Sequence, residues 1–239
     1  MTETLTIPAR FNGPPASGNG GYTCGRVAEL MGAEVVEVSL RSPPPLDTTL
    51  EVERGGERVV VRNGDTLVAE GAPSELLFDV PPAAPASEVA AAQEAGRERW
   101  AEGHPFPTCF VCGPAREDGF GIFPAALPGR DGLFGAHWAP GEASDDGSGC
   151  VRPELVWAAL DCPTSAPVAH FGDGPAMVLA SLTVRLGCPL RVGEPHTILS
   201  WALGEEGRKH WGAAALYDSE GILTCASRAL WIELRGGGQ

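Results

Sequence analysis

The run Glu-Leu-Val-Trp-Ala-Ala-Leu at residues 154–160 constrains this chain most. A helix written over it, opened by Pro153, is apolar around nearly its whole circumference. Such a helix has to be buried rather than laid on a surface. One acid, Asp161, interrupts the run at its end. Burying a carboxylate is costly unless it is paired or used, so Asp161 is a candidate functional group. The plainer reading makes it a cap or turn partner ahead of Pro163.

The elements around that helix occur twice. In the second half, strand-like segments at 120–123 and 133–138 lead through a Gly/Ser/Asp loop to the helix. Apolar strand-like segments follow at 177–186, 197–203, 210–217 and 222–234. In the first half, a strand at 4–12 enters a glycine-rich loop, and a helix at 22–31 ends at Gly32. At least four Val-rich, alternating strands come next, with Gly55-Gly56 and Asn63-Gly64 as hairpin turns. Two local echoes support a tandem repeat. VSLRSP at 38–43 resembles VRLGCP at 184–189, and NGDTLVAEG at 63–71 resembles SEGILTCAS at 219–227. The Pro/Ala-rich and then polar stretch between the halves reads as a linker with a short surface helix. The expected divisions are 1–79, 80–104 and 105–239. One buried helix wrapped by a long antiparallel sheet is the hotdog arrangement. The expectation is therefore an α+β chain built as a double hotdog, with two tandem hotdog units.

The formal charge of −14 and pI near 4.7 argue against nucleic acid and anionic membrane surfaces, which want basic patches. No apolar run reaches the length of a membrane span, and residues 1–10 lack a signal-peptide pattern. The seven cysteines are odd in number and scattered, which suits reduced thiols and a cytoplasmic setting. The glycine, proline and alanine content suggests a GC-rich bacterial coding sequence.

The segments PELVWAALDCP, ASLTVRLGCPL and WGAAALYDSEGILTCASRALWIEL resemble the type II acyl-CoA thioesterases and the wider hotdog thioesterase superfamily. CFVCGPAREDGFGIF at 109–123 resembles the Cys-x-x-Cys-Gly opening of many single-hotdog thioesterases, and GNGGYTCGRVAEL the Gly-Gly start of a hotdog helix. The resemblance implies hydrolysis of an acyl-CoA or acyl-carrier thioester, with no cofactor and a possible homo-oligomer. It puts the catalytic acid at Asp161 and a Ser/Thr on the central strand at Ser181 or Thr183. It also expects a Gln on the last strand, where this chain has Ala229 beside Arg228.

Such an enzyme needs a carboxylate to activate water or attack the thioester, and backbone N–H groups at a helix N-terminus to hold the carbonyl oxygen. Asn19, Gly20 and Gly21 can form that oxyanion site. Glu29, eight residues after Gly21 just as Asp161 follows Pro153, is a second candidate acid. Its plainer reading is a solvated partner of Arg26, three residues earlier. Pro153 has no N–H to offer, so a donor in the second half would be Glu154. Trp157 is either core or a wall for an acyl chain. Arg185, Arg191, Arg208 and Lys209 could meet coenzyme A phosphates, but solvated edge charges are the simpler expectation. Cys109-x-x-Cys112 could open a zinc site with Cys150 and Cys162 as remote partners. Zinc wants a second tight pair, so a structural pair in a turn and no metal are expected. His104, His137, His170, His196 and His210 are isolated. Neither G-x-G-x-x-G nor G-x-S-x-G occurs at a fitting place. A non-catalytic acyl or coenzyme A binding protein is the alternative. A hotdog dehydratase ranks last, because no His lies within the second helix.

Overall fold

A computed structural model describes residues 3–169 and 175–234, so His170 lies outside the described residues. The strands are β1 (Glu3–Thr6), β2 (Val35–Leu40), β3 (Thr49–Gly55), β4 (Arg58–Asn63), β5 (Thr66–Pro73), β6 (Ala125–Ala126), β7 (Leu133–Trp138), β8 (Met177–Leu186), β9 (His196–Glu206), β10 (Lys209–Tyr217) and β11 (Leu223–Glu233). The helices are α1 (Gly20–Ala28), α2 (Ala86–Gly103) and α3 (Pro153–Asp161). Residues 120–123, expected as a strand, are loop; Phe120 N–H instead donates to the Phe110 carbonyl.

All eleven strands form one antiparallel sheet in the order β1-β3-β4-β5-β2-β8-β11-β10-β9-β7-β6. Read from the outside inward, and setting aside the two-residue edge strand β6, β1-β3-β4-β5-β2 has the same chain order as β7-β9-β10-β11-β8. The two five-strand units meet where β2 pairs with β8, in register Val36↔Val184, Glu37↔Thr183 and Val38↔Leu182. The echoed segments at 38–43 and 184–189 begin in these two strands. The offset that relates them carries Glu37 onto Thr183, so a local two-fold passes through that pair.

α1 and α3 sit together on one face of the sheet. Period-two alternation directs Leu50, Val52, Val59 and Val61 inward and leaves Glu51, Glu53 and Arg58 exposed. Every residue of α3 from Glu154 to Asp161 is buried, as its all-round apolar character requires. Burying Leu155, Val156, Trp157 and Leu160 is worth about 1.5–3 kcal/mol each relative to exposure. α1 and α3 run antiparallel in backbone contact. A Cβ on Gly21 would come within 2.4 Å of Asp161 Cβ, and one on Gly25 within 2.6 Å of Glu154 Cα. These glycines are one helical turn apart on the same face. Substituting either would push the helices apart.

α2 is longer than the expected short surface helix, at eighteen residues. Its polar composition hides a stripe at helical spacing: Val89, Gln93, Gly96 and Trp100. Gln93 Oε1 accepts from the N–H groups of Phe123 and His137, and Trp100 Nε1 donates to the Pro124 carbonyl at 2.8 Å. With Ala84 ahead of it, the helix covers a second apolar cluster of Leu199, Ala215 and Tyr217 on the face of the sheet away from α3. This explains why residues 212–217 of β10 are buried without alternation. No helix among the described residues is long and apolar enough to cross a membrane.

Candidate active site

Because α1 and α3 are antiparallel, the head of α1 meets the tail of α3. Asp161 lies there, 2% exposed. Its Oδ2 accepts from Gly21 N–H at 2.8 Å and from Asn19 Nδ2 at 3.2 Å. Its Oδ1 is buried with no partner among the described residues. Burial pushes the carboxyl up to about 7; the Gly21 and Asn19 donors pull the other way, and the charge of Cys109 adds to the rise. The positive end of the α1 dipole also favours the anion.

Asn19 has a second task. Its side-chain oxygen accepts from Tyr22 N–H at 2.8 Å and caps α1. Gly20 N–H has no hydrogen-bond partner among the described residues. Gly20, Asn19 and Asp161 all stand on the wall of a cavity of about 870 Å³. The rest of that wall is mainly apolar, including Leu179, Trp231, Trp100 and Phe106. The tail of α3 is held in place by Thr164, whose Oγ1 donates to the Asp161 carbonyl at 2.6 Å and accepts from Trp231 Nε1 at 2.8 Å. Ser227 Oγ donates to the Leu160 carbonyl at 3.3 Å. Sequence reading did not single out Thr164 or Ser227, because each acts on a backbone atom brought near only by folding.

The opposite end of the helix pair holds the other acids. Glu29 caps the tail of α1, and its carboxyl neighbours that of Glu154 at the head of α3. Arg26 Nε pairs with Glu29 at 3.1 Å, and Arg152 with Glu154 at 3.5 Å. Burial first, then the neighbouring carboxyl, pushes Glu29 up to about 7. Neither glutamate lines the 870 Å³ cavity. Trp157 lies in the α1–α3 contact against Gly21 and Gly25.

The central-strand candidates do not join Asp161. Leu182 is in register with Val38 and Ala229, all fully buried in the core under the helices. Their neighbours therefore point to the other face. There Thr183 Oγ1 donates to Glu37 Oε2 at 2.9 Å, and Arg228 Nη2 reaches the same oxygen at 3.4 Å. Ser181 is in register with Ser39 and Leu230 on that face. A bulge at Ala180 returns Leu179 to the cavity side.

No protein-family model matches the chain, and no curated protein matches it by sequence. Solved structures do match. The TesB protein of Mycobacterium avium subsp. paratuberculosis superposes with a TM-score of 0.64 at 14% identity, covering 97% of this chain and 91% of that one. Acyl-CoA thioesterase II TesB2 of Mycobacterium marinum gives 0.61 at 13%, covering 99% and 94%. A hot dog fold protein of unknown function from Alicyclobacillus acidocaldarius gives 0.58 at 11%, covering 98% and 93%. At these identities the likeness concerns the fold: the chain has the hotdog fold of TesB-type thioesterases over nearly its whole length.

Proposed function

We propose that the chain is a double hotdog that hydrolyses acyl thioesters of coenzyme A or an acyl carrier, with Asp161 as the acid. Units 1–79 and 105–239 would be the two hotdogs and 80–104 the segment between them, with α2 applied to the outer face of the second. One observation carries this reading: a buried carboxylate, one oxygen unpaired, stands on the wall of a largely apolar cavity against the head of a helix.

The acyl chain would lie along Leu179, Trp231 and Phe106, with its carbonyl oxygen on Gly20 N–H at the α1 N-terminus. Asp161 would take a proton from water as the water oxygen bonds to the carbonyl carbon. Collapse of the tetrahedral intermediate breaks the C–S bond, and the departing sulfur leaves as thiol with that proton. Asn19 and Gly21 hold Asp161 Oδ2 and leave Oδ1 for the water. Arg41, a half-exposed cation on the same wall, would face coenzyme A phosphates.

Asp161→Asn, assayed by thiol release from a panel of acyl-CoAs, tests this. A large loss of turnover with the fold intact is expected; unchanged turnover overturns the reading. A non-catalytic acyl binder is favoured by one observation: Ser181, Thr183 and Arg228 face away from Asp161. A thermal shift with acyl-CoA and no thiol release would select it.

A further inference from the structure

The cavity wall next to Asp161 contains a group of side chains that thioester hydrolysis does not use. The sulfurs of Cys109, Cys112 and Cys162, all buried, lie within 4.8 Å of one another. We propose that these three cysteines bind a thiolate-seeking divalent metal, zinc above all, with the fourth position open to an oxygen donor from the cavity. This does not rest on the thioesterase reading.

The geometry suits zinc. A tetrahedral ion about 2.3 Å from each sulfur separates the sulfurs by about 3.8 Å. The Cys109–Cys162 separation is 3.8 Å. The Cys109-x-x-Cys112-Gly113 turn is also shaped for it. Gly113 N–H donates to the Cys109 carbonyl at 2.9 Å. A Cβ at Gly113 would come within 2.5 Å of Cys109 N and O, so the turn requires glycine.

Side chains outside the sulfurs complete the arrangement. Asn19 Nδ2 approaches the Cys109 sulfur at 3.8 Å. His104 Nε2 lies 3.2 Å from the Cys112 sulfur, while His104 Nδ1 accepts from Phe106 N–H at 2.9 Å. That acceptance leaves the ring proton on Nε2, so His104 donates to sulfur and acts as a positioning residue. Cys150 is elsewhere, bridged to Arg191. The missing second tight pair is replaced by one cysteine from the tail of α3. The metal would tie the irregular segment around 105–113 to that tail and so fix one wall of the cavity.

The test uses the full chain. Protein purified with zinc present and then desalted should retain about one zinc per chain by elemental analysis. Cobalt chloride added to chelator-treated protein should give thiolate-to-cobalt charge transfer and the intense visible bands of a tetrahedral ion, both removed by zinc. Cys162→Ser should weaken cobalt binding at least about tenfold and reduce the charge-transfer intensity. Cys188→Ser, at an exposed position, should match the wild type. His104→Gln should lower zinc affinity by about tenfold or more; unchanged affinity would remove its positioning role. In the unmutated chain, zinc should protect three thiols from a thiol reagent. Cobalt binding without charge transfer, or a Cys109–Cys162 disulfide found by non-reducing peptide mapping, would overturn the proposal.

Discussion

The two ends of the α1–α3 pair follow one plan and differ in chemistry. At each end an acid from the tail of one helix meets the head of the other, eight residues separating acid from head in both halves. At one end the head is Asn19-Gly20-Gly21. Gly21 gives its N–H to Asp161 and leaves room for the carboxylate. At the other end the head is Pro153-Glu154. Proline has no N–H to give, and Glu154 brings a second carboxylate that pushes Glu29 toward its protonated form. Donors and open space surround one acid; a competing acid and two arginines surround the other. A duplicated pattern thus yields one candidate site, chosen by what the opposing helix presents.

The largest test of that contrast is catalytic. Asp161→Asn should lower thiol release about 100-fold or more, the scale of a lost general base. Glu29→Gln should stay within about twofold of wild type in the same assay. Equal losses would dissolve the distinction between the ends. Next comes packing. Gly21→Ala places a methyl against Asp161 Cβ and the Trp157 carbonyl, and should cost about 3 kcal/mol in urea unfolding. Gly25→Ala should cost a similar amount from the other end, whereas Gly32→Ala meets no atom within 4 Å and is opposed only by its positive φ. Asn19→Ala removes the α1 cap and should cost about 1 kcal/mol.

The smallest effect is pH dependence. Glu29 sits near 7 in the folded chain against an ordinary 4.5. A raised carboxyl binds its proton more tightly when folded, so stability falls as pH rises from about 4.5 to about 7. Below that window its cost is absent. The thermal midpoint of the wild type should therefore rise on acidification from pH 7.5 to 5.5, with Asp161 acting in the same direction. Glu29→Gln should flatten part of that slope; an unchanged slope would place the proton elsewhere.

Much of the architecture was legible before folding. The buried helix at 153–161 announced itself by having no polar side, and the strands of the first half by alternation. α2 was less legible, since Val89, Gly96 and Trp100 form a thin stripe in a polar background. Asp161 stood out because it interrupts an apolar run. The rest of the candidate site did not. Ser181 and Thr183 differ in sequence from cavity residues only by strand parity, and the bulge at Ala180 resets that parity. Nothing local distinguishes Cys162 from Cys150 as the remote partner of Cys109, although Cys162, fifty-three residues away, is the one that reaches it.

The chain's own order therefore determined most of the elements and the burial of α3, because periodicity and apolar content act over a few residues. Tertiary structure alone decided which acid has a cavity, which face Thr183 and Arg228 occupy, and which sulfurs gather. Those outcomes depend on how the helices cross and how β2 meets β8, and such long-range geometry leaves no local trace.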